Sequence, residues 1–205
     1  MFAKDYRKLA WSKLTNNWGT AIVVFLLYTV IISISASVGV GPLLLSGLLG
    51  VGMFGVYLDI VRGNQAKIEG MFDGFRQGTV NNLLAGILIT IFTALWSLLF
   101  VIPGIVKSYS YAMTYFILKD NPEMSANDAI TESRKMMNGN KWRLFCLDFS
   151  FIGWILLSML TCGLLVILVQ PYMYTARAAF YESIKGAPVE AEATEAPAAE
   201  ETTEA

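Results

Sequence analysis

The sequence predicts an all-α fold, a polytopic bundle of transmembrane helices, and three observations predict it. First, 55% of the 205 residues are hydrophobic, 15% are charged and the mean hydropathy is +0.54, which is a larger apolar share than a soluble domain uses. Second, apolar runs recur at lengths suited to a bilayer. Third, Lys and Arg cluster in some connections and are absent from the others, as topology rules require of a membrane protein.

Charge separates the chain into two parts. Six of the 16 acidic residues follow Lys185, so ten acids remain against 15 Lys and Arg in residues 1–185. That net basic part suits contact with anionic lipid headgroups. Residues 186–205 are built largely from Ala, Glu, Thr and Pro, cannot bury a core and are predicted to be a disordered acidic tail.

Several classes of activity are excluded by composition. Histidine is absent, which removes the commonest general base and zinc ligand, and with them histidine triads and HExxH sites. No nucleophile with a base, phosphate-binding glycine loop or metal-ligand spacing is visible. We therefore expect no catalytic residue, no metal and no cofactor, and the apolar character of the basic loops speaks against nucleic acid.

The first unit begins with an amphipathic segment. Residues 2–18 alternate apolar and basic side chains at helical spacing, with Trp11 and Trp18 near the ends, which predicts a helix on the membrane surface. Residues 20–40 are long enough to cross a hydrocarbon core of roughly 30 Å. We expect this span to be retained rather than cleaved as a signal peptide.

Small residues characterise the second span. After a turn at Gly41-Pro42, residues 42–61 are predicted to return through the bilayer. A seam of small side chains on this span is expected to pack against another helix of the same chain, with a dimer face as the alternative. The seam consists of Ser46, Gly47, Gly50, Gly52 and Gly55.

The second unit repeats this order. Within the charged loop 62–78, apolar residues at i, i+3, i+4 and i+7 (Ile68, Met71, Phe72 and Phe75) predict another surface helix. Residues 83–102 form a third predicted span.

Proline and glycine then predict a break. Pro103-Gly104 should end the third span, and residues 105–118 follow, which are short and contain Lys107. The positive-inside rule decides that they cross, because otherwise the basic loop 119–143 would face the side opposite the basic N-terminus.

The third unit has the same layout. Ser125 with Asp128 resembles a capping box, and Asn138-Gly139 supplies a stop, so a third surface helix is predicted between them. Residues 144–160 and 164–181 form the fifth and sixth predicted spans. The whole reads as a surface helix plus a hairpin of two spans, repeated three times at about 60 residues. Both termini and both long loops are then cytoplasmic.

Two intramembrane charges are the main candidate site residues. Asp148 and Arg177 each lie about five residues from the cytoplasmic end of adjacent, antiparallel spans, so an ion pair is predicted. The functional explanation is a site for a polar or anionic solute or a proton relay. The structural explanation is a clasp between the helices or two side chains that snorkel independently. A second candidate, for an anion or headgroup site with an aromatic lining, is Lys107 with Tyr111 and the neighbouring tyrosines Tyr109 and Tyr115. The alternative explanation of these residues is an interfacial anchor.

A group of short motifs resembles a known family. They are Ile102-Pro103-Gly104-Ile105, Tyr109-Ser110-Tyr111, Ala129, Ser133-Arg134, Met137, Gly139, Phe149-Ser150-Phe151-Ile152-Gly153-Trp154, Pro171-Tyr172 and Phe180-Tyr181. Together, over nearly all of residues 1–185, they resemble the bacterial integral membrane family called domain of unknown function 975. The resemblance implies a multi-pass protein of the bacterial cytoplasmic membrane and brings no catalytic or binding residue.

Two functions therefore remain in view. The leading hypothesis is a non-enzymatic membrane module that associates with the lipid bilayer or with other membrane proteins. The alternative is a small-solute or ion transporter or channel that uses Asp148, Arg177 and Lys107. A membrane enzyme is the third possibility.

Overall fold

The computed structural model describes residues 3–37, 39–99, 101–161 and 163–185, and the predicted acidic tail and Cys162 lie outside them. Every regular element in these ranges is helical, which confirms the all-α class. The helices are α1 (Ala3–Leu14), α2 (Trp18–Ala36), α3 (Gly41–Arg62), a 3-10 helix (Ile68–Phe72), α4 (Asp73–Arg76), α5 (Thr79–Leu99), α6 (Val101–Tyr111), α7 (Thr114–Asp120), α8 (Ala126–Met136), α9 (Lys141–Phe149), α10 (Ile152–Leu160) and α11 (Val166–Ile184).

Within the described ranges, four segments are long and apolar enough to span a membrane: Trp18–Ala36, Gly41–Arg62, Thr79–Leu98 and Lys141–Leu160. Two of the six predicted spans are not among them. Residues 105–118 fall in α6 and α7, which are separate helices interrupted at Ala112 and Met113. Residues 166–181 fall in α11, whose Gln170 and Arg177 lower its hydropathy, and Leu164 and Leu165 lie in the turn before it.

Burial distinguishes α3 from the other three candidate spans. In the most apolar part of α3, 72% of the residues are buried, against 11%, 17% and 22% in the corresponding parts of Trp18–Ala36, Thr79–Leu98 and Lys141–Leu160. Helix α11 is also mostly buried and packs against α1, α2 and α3. The centre of the bundle is therefore built on α3 and α11, while the peripheral helices expose apolar side chains.

The seam of small residues brings α5 onto α3. A Cβ atom on Gly86 of α5 would lie 2.6 Å from Cα of Gly47 on α3, which is too close for a side chain. Gly50, Gly52 and Gly55 likewise face Tyr115, Met71 and Lys119 of the same chain. The predicted packing within one chain therefore accounts for the seam.

Three helix boundaries differ from the predictions. Pro103 and Gly104 lie inside the first turn of α6 rather than between two spans, since proline is tolerated in the first turn, where its missing N–H needs no partner. For the same reason Gly41 and Pro42 open α3, and the turn before them uses Gly39 at φ 75°. The fifth predicted span is two helices, α9 and α10, divided at Ser150 and Phe151.

Three amphipathic segments pack against the other helices: α1, residues 68–76 and α8. We call these three segments together the collar. The ring of Tyr6 in α1 packs edge-on against Phe180 of α11, with centroids 5.4 Å apart. Met71 and Gly74 lie against α3. Ser133 of α8 donates to the carbonyl of Ser110 and accepts from the amide of Met113, at the junction of α6 and α7.

The collar differs from the predicted surface helices in what its apolar faces cover. Tyr6, Ala10 and Leu14 of α1 are fully buried against protein, whereas the sequence predicted that this face lies on lipid. Residues 68–76 form a 3-10 helix followed by a single α-helical turn rather than one helix. The predicted cap of α8 is confirmed, because the amide of Asp128 donates to Oγ of Ser125 at 3.2 Å.

Candidate functional site

The two charges singled out from the sequence form an ion pair. Asp148 on α9 accepts from Nε of Arg177 on α11 at 3.0 Å and from Nη2 of the same side chain at 2.8 Å. Both carboxylate oxygens are therefore bound to one edge of the guanidinium, which is the stronger, bidentate arrangement. The predicted contact is present, and its part in binding stays a prediction.

A third residue joins the pair from α6. The hydroxyl of Tyr109 donates to Oδ2 of Asp148 at 3.0 Å, and the Tyr109 ring packs edge-on against Phe145 on α9. The sequence placed Tyr109 with Lys107 near the outer end of its span and did not connect it with Asp148. The predicted depths, with Tyr109 near the outer face and Asp148 near the cytoplasmic one, spoke against this bond, and the structure brings the two side chains together.

Lys107 lies apart from the pair. Its Nζ is 4.7 Å from the ring centroid of Trp96 on α5, a cation–π contact, and Trp96 is itself exposed. This contact fits the interfacial anchor that was the alternative for Lys107. Tyr111 is buried, with its ring 6.2 Å from Phe92.

A cavity of about 430 Å³ lies beside the ion pair. Its walls come from α3, α5, α6, α7, α9 and α11, and they include Arg177, Tyr109, Tyr111, Tyr115 and Ser108. Of the four candidate site residues, Tyr111 and Arg177 line this cavity. The side chain of Arg177 is 29% accessible against 13% for Asp148, so the guanidinium presents its remaining edge while the carboxylate is largely covered.

A second polar cluster, which the sequence reasoning missed, joins the ends of three helices. Arg62 at the end of α3 donates to both carboxylate oxygens of Asp120 at the end of α7, each at 2.8 Å, and to Glu182 on α11. Lys185 and the hydroxyl of Tyr181 also donate to Asp120. The only sequence signal was the recurrence of charged residues at the ends of these segments.

The charge state of Asp120 follows from its donors. Burial would raise its pKa, but hydrogen bonds from Arg62, Lys185 and Tyr181 outweigh burial, and the pKa is lowered from the ordinary 3.8. The carboxylate is therefore ionised at neutral pH and holds the ends of α3, α7 and α11 together.

No cluster of three or more His, Cys, Asp or Glu side chains that could hold a metal occurs in the described ranges. Cys146, half-buried on α9, is a free thiol. The arrangement as it stands can pair charges and offer hydrogen-bond donors to a small polar group.

Comparison with known proteins finds a family model that is similar to part of the chain. No curated protein and no solved structure matches the sequence. One family model matches residues 98–188, a segment that contains Tyr109, Asp148 and Arg177 together with the collar helix α8. The family description states no activity, and the match covers less of the chain than the resemblance did. Residues 98–188 thus match the family model described as "Protein of unknown function (DUF975)", the family that the sequence motifs indicated.

Proposed function

We propose that this protein is a non-enzymatic, multi-pass membrane module that associates with anionic lipid through its collar. The observation that carries the proposal is the distribution of exposed side chains. Helices α5 and α10 expose large apolar residues such as Leu95, Leu98, Leu156 and Leu160, a surface that needs lipid to cover it. The collar, in contrast, exposes aromatic and basic side chains together.

Helix α1 shows this combination most clearly. Its buried face is Tyr6, Ala10 and Leu14, and its exposed stripe includes Lys4, Lys8 and Trp11. Lysine beside tryptophan is the composition of an inner-leaflet interface, where each Lys or Arg contributes about 1 kcal/mol of attraction to anionic lipid. The exposed lysines of α1 therefore favour binding of the collar to a leaflet that contains anionic lipid.

An apolar groove next to α1 supports contact with acyl chains. It has a volume of about 230 Å³ and lies between α1, α2, α10 and α11. Three tryptophans, Trp11, Trp18 and Trp154, line it. Trp11 stacks edge-on against Trp18 with centroids 5.5 Å apart. The groove suits the acyl chain of a lipid.

We further propose that the chain crosses the bilayer six times as three hairpins, with α6–α7 and α11 as the fourth and sixth crossings. Two contacts support this. The start of α5 meets the end of α7, because Gly78 lies against the carbonyl of Pro122. The ends of α3, α7 and α11 share the ion pairs of Asp120. Helices α6 and α7 together therefore return to the side from which α5 departs.

Charge reversal tests the lipid-associating role. We compare the thermal unfolding midpoint of the full chain in nanodiscs of phosphatidylcholine alone and in nanodiscs containing phosphatidylglycerol. The wild-type protein should be more stable with phosphatidylglycerol, and Lys4→Glu/Lys8→Glu should lose that difference. Ser12→Ala/Thr15→Ala, on the same exposed stripe, is the matched control and should keep it. Equal midpoints for the wild-type protein in both lipids would reject the proposal.

The cavity beside Arg177 favours a second candidate, a transporter or channel for a small polar solute. An arginine that lines a cavity within a helical bundle is a feature of substrate paths in membrane proteins. Uptake assays in proteoliposomes separate the two candidates, since a lipid-associating module leaves solute flux unchanged.

A further inference from the structure

We infer that the cavity between α3, α5, α6, α7, α9 and α11 is a binding site for an oxyanion, specifically a phosphate group. The inference does not rest on the lipid-associating role of the collar, because the cavity and the collar's exposed lysines are separate surfaces. It gives a ligand class to a site that the solute-handling alternative leaves unnamed.

The first argument concerns the edge of the Arg177 guanidinium that Asp148 does not occupy. Asp148 occupies the edge formed by Nε and Nη2, and none of the described residues bonds Nη1. A guanidinium has five N–H groups in a planar fork. The end of the fork, formed by Nη1 and the second hydrogen of Nη2, is therefore open, and Arg177 lines the cavity. This edge matches the two oxygens of a phosphate or carboxylate.

Two tyrosines add further donors. Tyr111 and Tyr115 line the cavity, and their hydroxyls have no hydrogen-bond partner among the described residues. Tyr109 differs, because its hydroxyl is already bound to Asp148. A tyrosine hydroxyl that faces a cavity and is not engaged elsewhere can donate a hydrogen bond to an oxyanion bound there.

The charged side chains at the cavity favour an anionic ligand over a cationic one. Asp148 is not part of the cavity wall, whereas Arg177 is, so the charge that reaches the ligand is positive. Asp148 holds the guanidinium in place and reduces its net charge, which favours reversible binding. The remaining lining is apolar or hydroxylic, including Phe54, Ile89 and Thr93, and contains no carboxylate to repel an anion.

The size and opening of the cavity fit a small group. About 430 Å³ is within the range of small-molecule pockets. Ser108 and Ile105 line the cavity and are exposed, so they form its rim. An oxyanion can reach such a site as a free solute or as the headgroup of a lipid, and the chemistry at Arg177 is the same for both.

Ligand-induced stabilisation tests the inference. The full chain in an uncharged detergent is titrated with inorganic phosphate, with dihexanoyl phosphatidic acid and with dihexanoyl phosphatidylcholine, at constant ionic strength, and the thermal unfolding midpoint is followed, since a ligand of the native state raises it. We expect phosphate or phosphatidic acid to raise the midpoint of the wild-type protein. A response to both identifies a free-anion site, and a response to phosphatidic acid alone identifies a headgroup site.

Two variants localise the response. Tyr111→Phe/Tyr115→Phe removes both hydroxyls, leaves the Asp148–Arg177 pair intact and should weaken the apparent affinity about tenfold. Ser108→Trp fills the rim and should abolish the response. Val106→Trp is the matched control, because Val106 is exposed on the same helix and does not line the cavity.

The outcomes that overturn the inference are specific. No midpoint shift with either phosphate compound, or an unchanged shift in Ser108→Trp, removes the site. If the tyrosine variant is itself unstable, Ser108→Trp against Val106→Trp still decides the question. None of these results depends on whether phosphatidylglycerol stabilises the protein through α1, so failure here is distinct from failure of the lipid-associating role.

Discussion

Arg177 divides its guanidinium between a fixed partner and an open edge, and the fixed partner sets the energetics of the residue. A charge on a helix within a bilayer costs several kcal/mol unless it is paired. Asp148 removes most of that cost by accepting two hydrogen bonds from Arg177, and the hydroxyl of Tyr109 donates to Oδ2 of the same carboxylate. Removing either charge leaves the other without its partner, which is worse than removing both.

A double-mutant cycle measures this coupling. Asp148→Asn and Arg177→Gln should each lower the free energy of unfolding by about 2 kcal/mol, below the usual value for a fully buried pair because Arg177 is 29% accessible. The double variant should recover much of the loss. Chemical unfolding in mild detergent gives the four values. Strictly additive losses would show that the two side chains act independently.

The part of this site that could be predicted from the sequence was the matching depth of Asp148 and Arg177. Asp148 and Arg177 were paired because both lie about five residues from the same end of adjacent segments, and that argument needs only the rise of a helix. Tyr109, Arg62 and Asp120 were not connected with their partners, because those contacts depend on helix rotation and on which hairpins become neighbours. Neither property is encoded in hydropathy.

At the scale of elements, helical periodicity identified the apolar faces of the collar helices correctly. It did not identify what covers those faces. Tyr6, Ala10 and Leu14 share a face of α1, as their spacing predicted, but α11 rather than lipid covers it. Ile130 and Met137 are buried in the same way at α8. An amphipathic pattern states that one face needs an apolar neighbour, and both a bilayer and a second helix meet that need.

The contact between α3 and α5 is the sharpest test at this scale. Gly86→Val should lower the free energy of unfolding by about 3 kcal/mol, since its Cβ meets the backbone of Gly47 and the helices must separate. Gly153→Ala on α10 is the control, because nothing lies within 4 Å of a Cβ there. It should leave stability unchanged or raise it. Equal effects of the two substitutions would mean that the close approach of α3 and α5 is unimportant.

At the scale of the molecule, the arrangement repeats along the chain. Residues 68–76 pack on α3, α8 packs on α6–α7, and α1 packs on α11. Each collar segment therefore lies on the hairpin before it in sequence, and α1 completes the ring by packing on the last one. The predicted repeat of a surface helix plus a hairpin, at about 60 residues, has the same order of elements, although the side chains that make the contacts differ from unit to unit.

The six-span topology is decided by whether α6–α7 returns to the side from which α5 departs. If it does, the loops around Asn64 and Asn138 lie on one side, and all clusters of Lys and Arg face the same leaflet. If it does not, these loops lie on opposite sides. Both asparagines are exposed, so a cysteine introduced at either position is accessible to a thiol reagent.

Accessibility scanning gives the answer in one experiment. In a background with Cys146 and Cys162 replaced by serine, Asn64→Cys and Asn138→Cys should both be protected from a membrane-impermeant maleimide in intact cells. Leu164→Cys, in the turn before α11, should react. Labelling at Asn138→Cys but not at Asn64→Cys would place α7 at the outer face. We expect the opposite result because Arg62 and Asp120 share an ion pair, and one cluster of side chains cannot contact both leaflets.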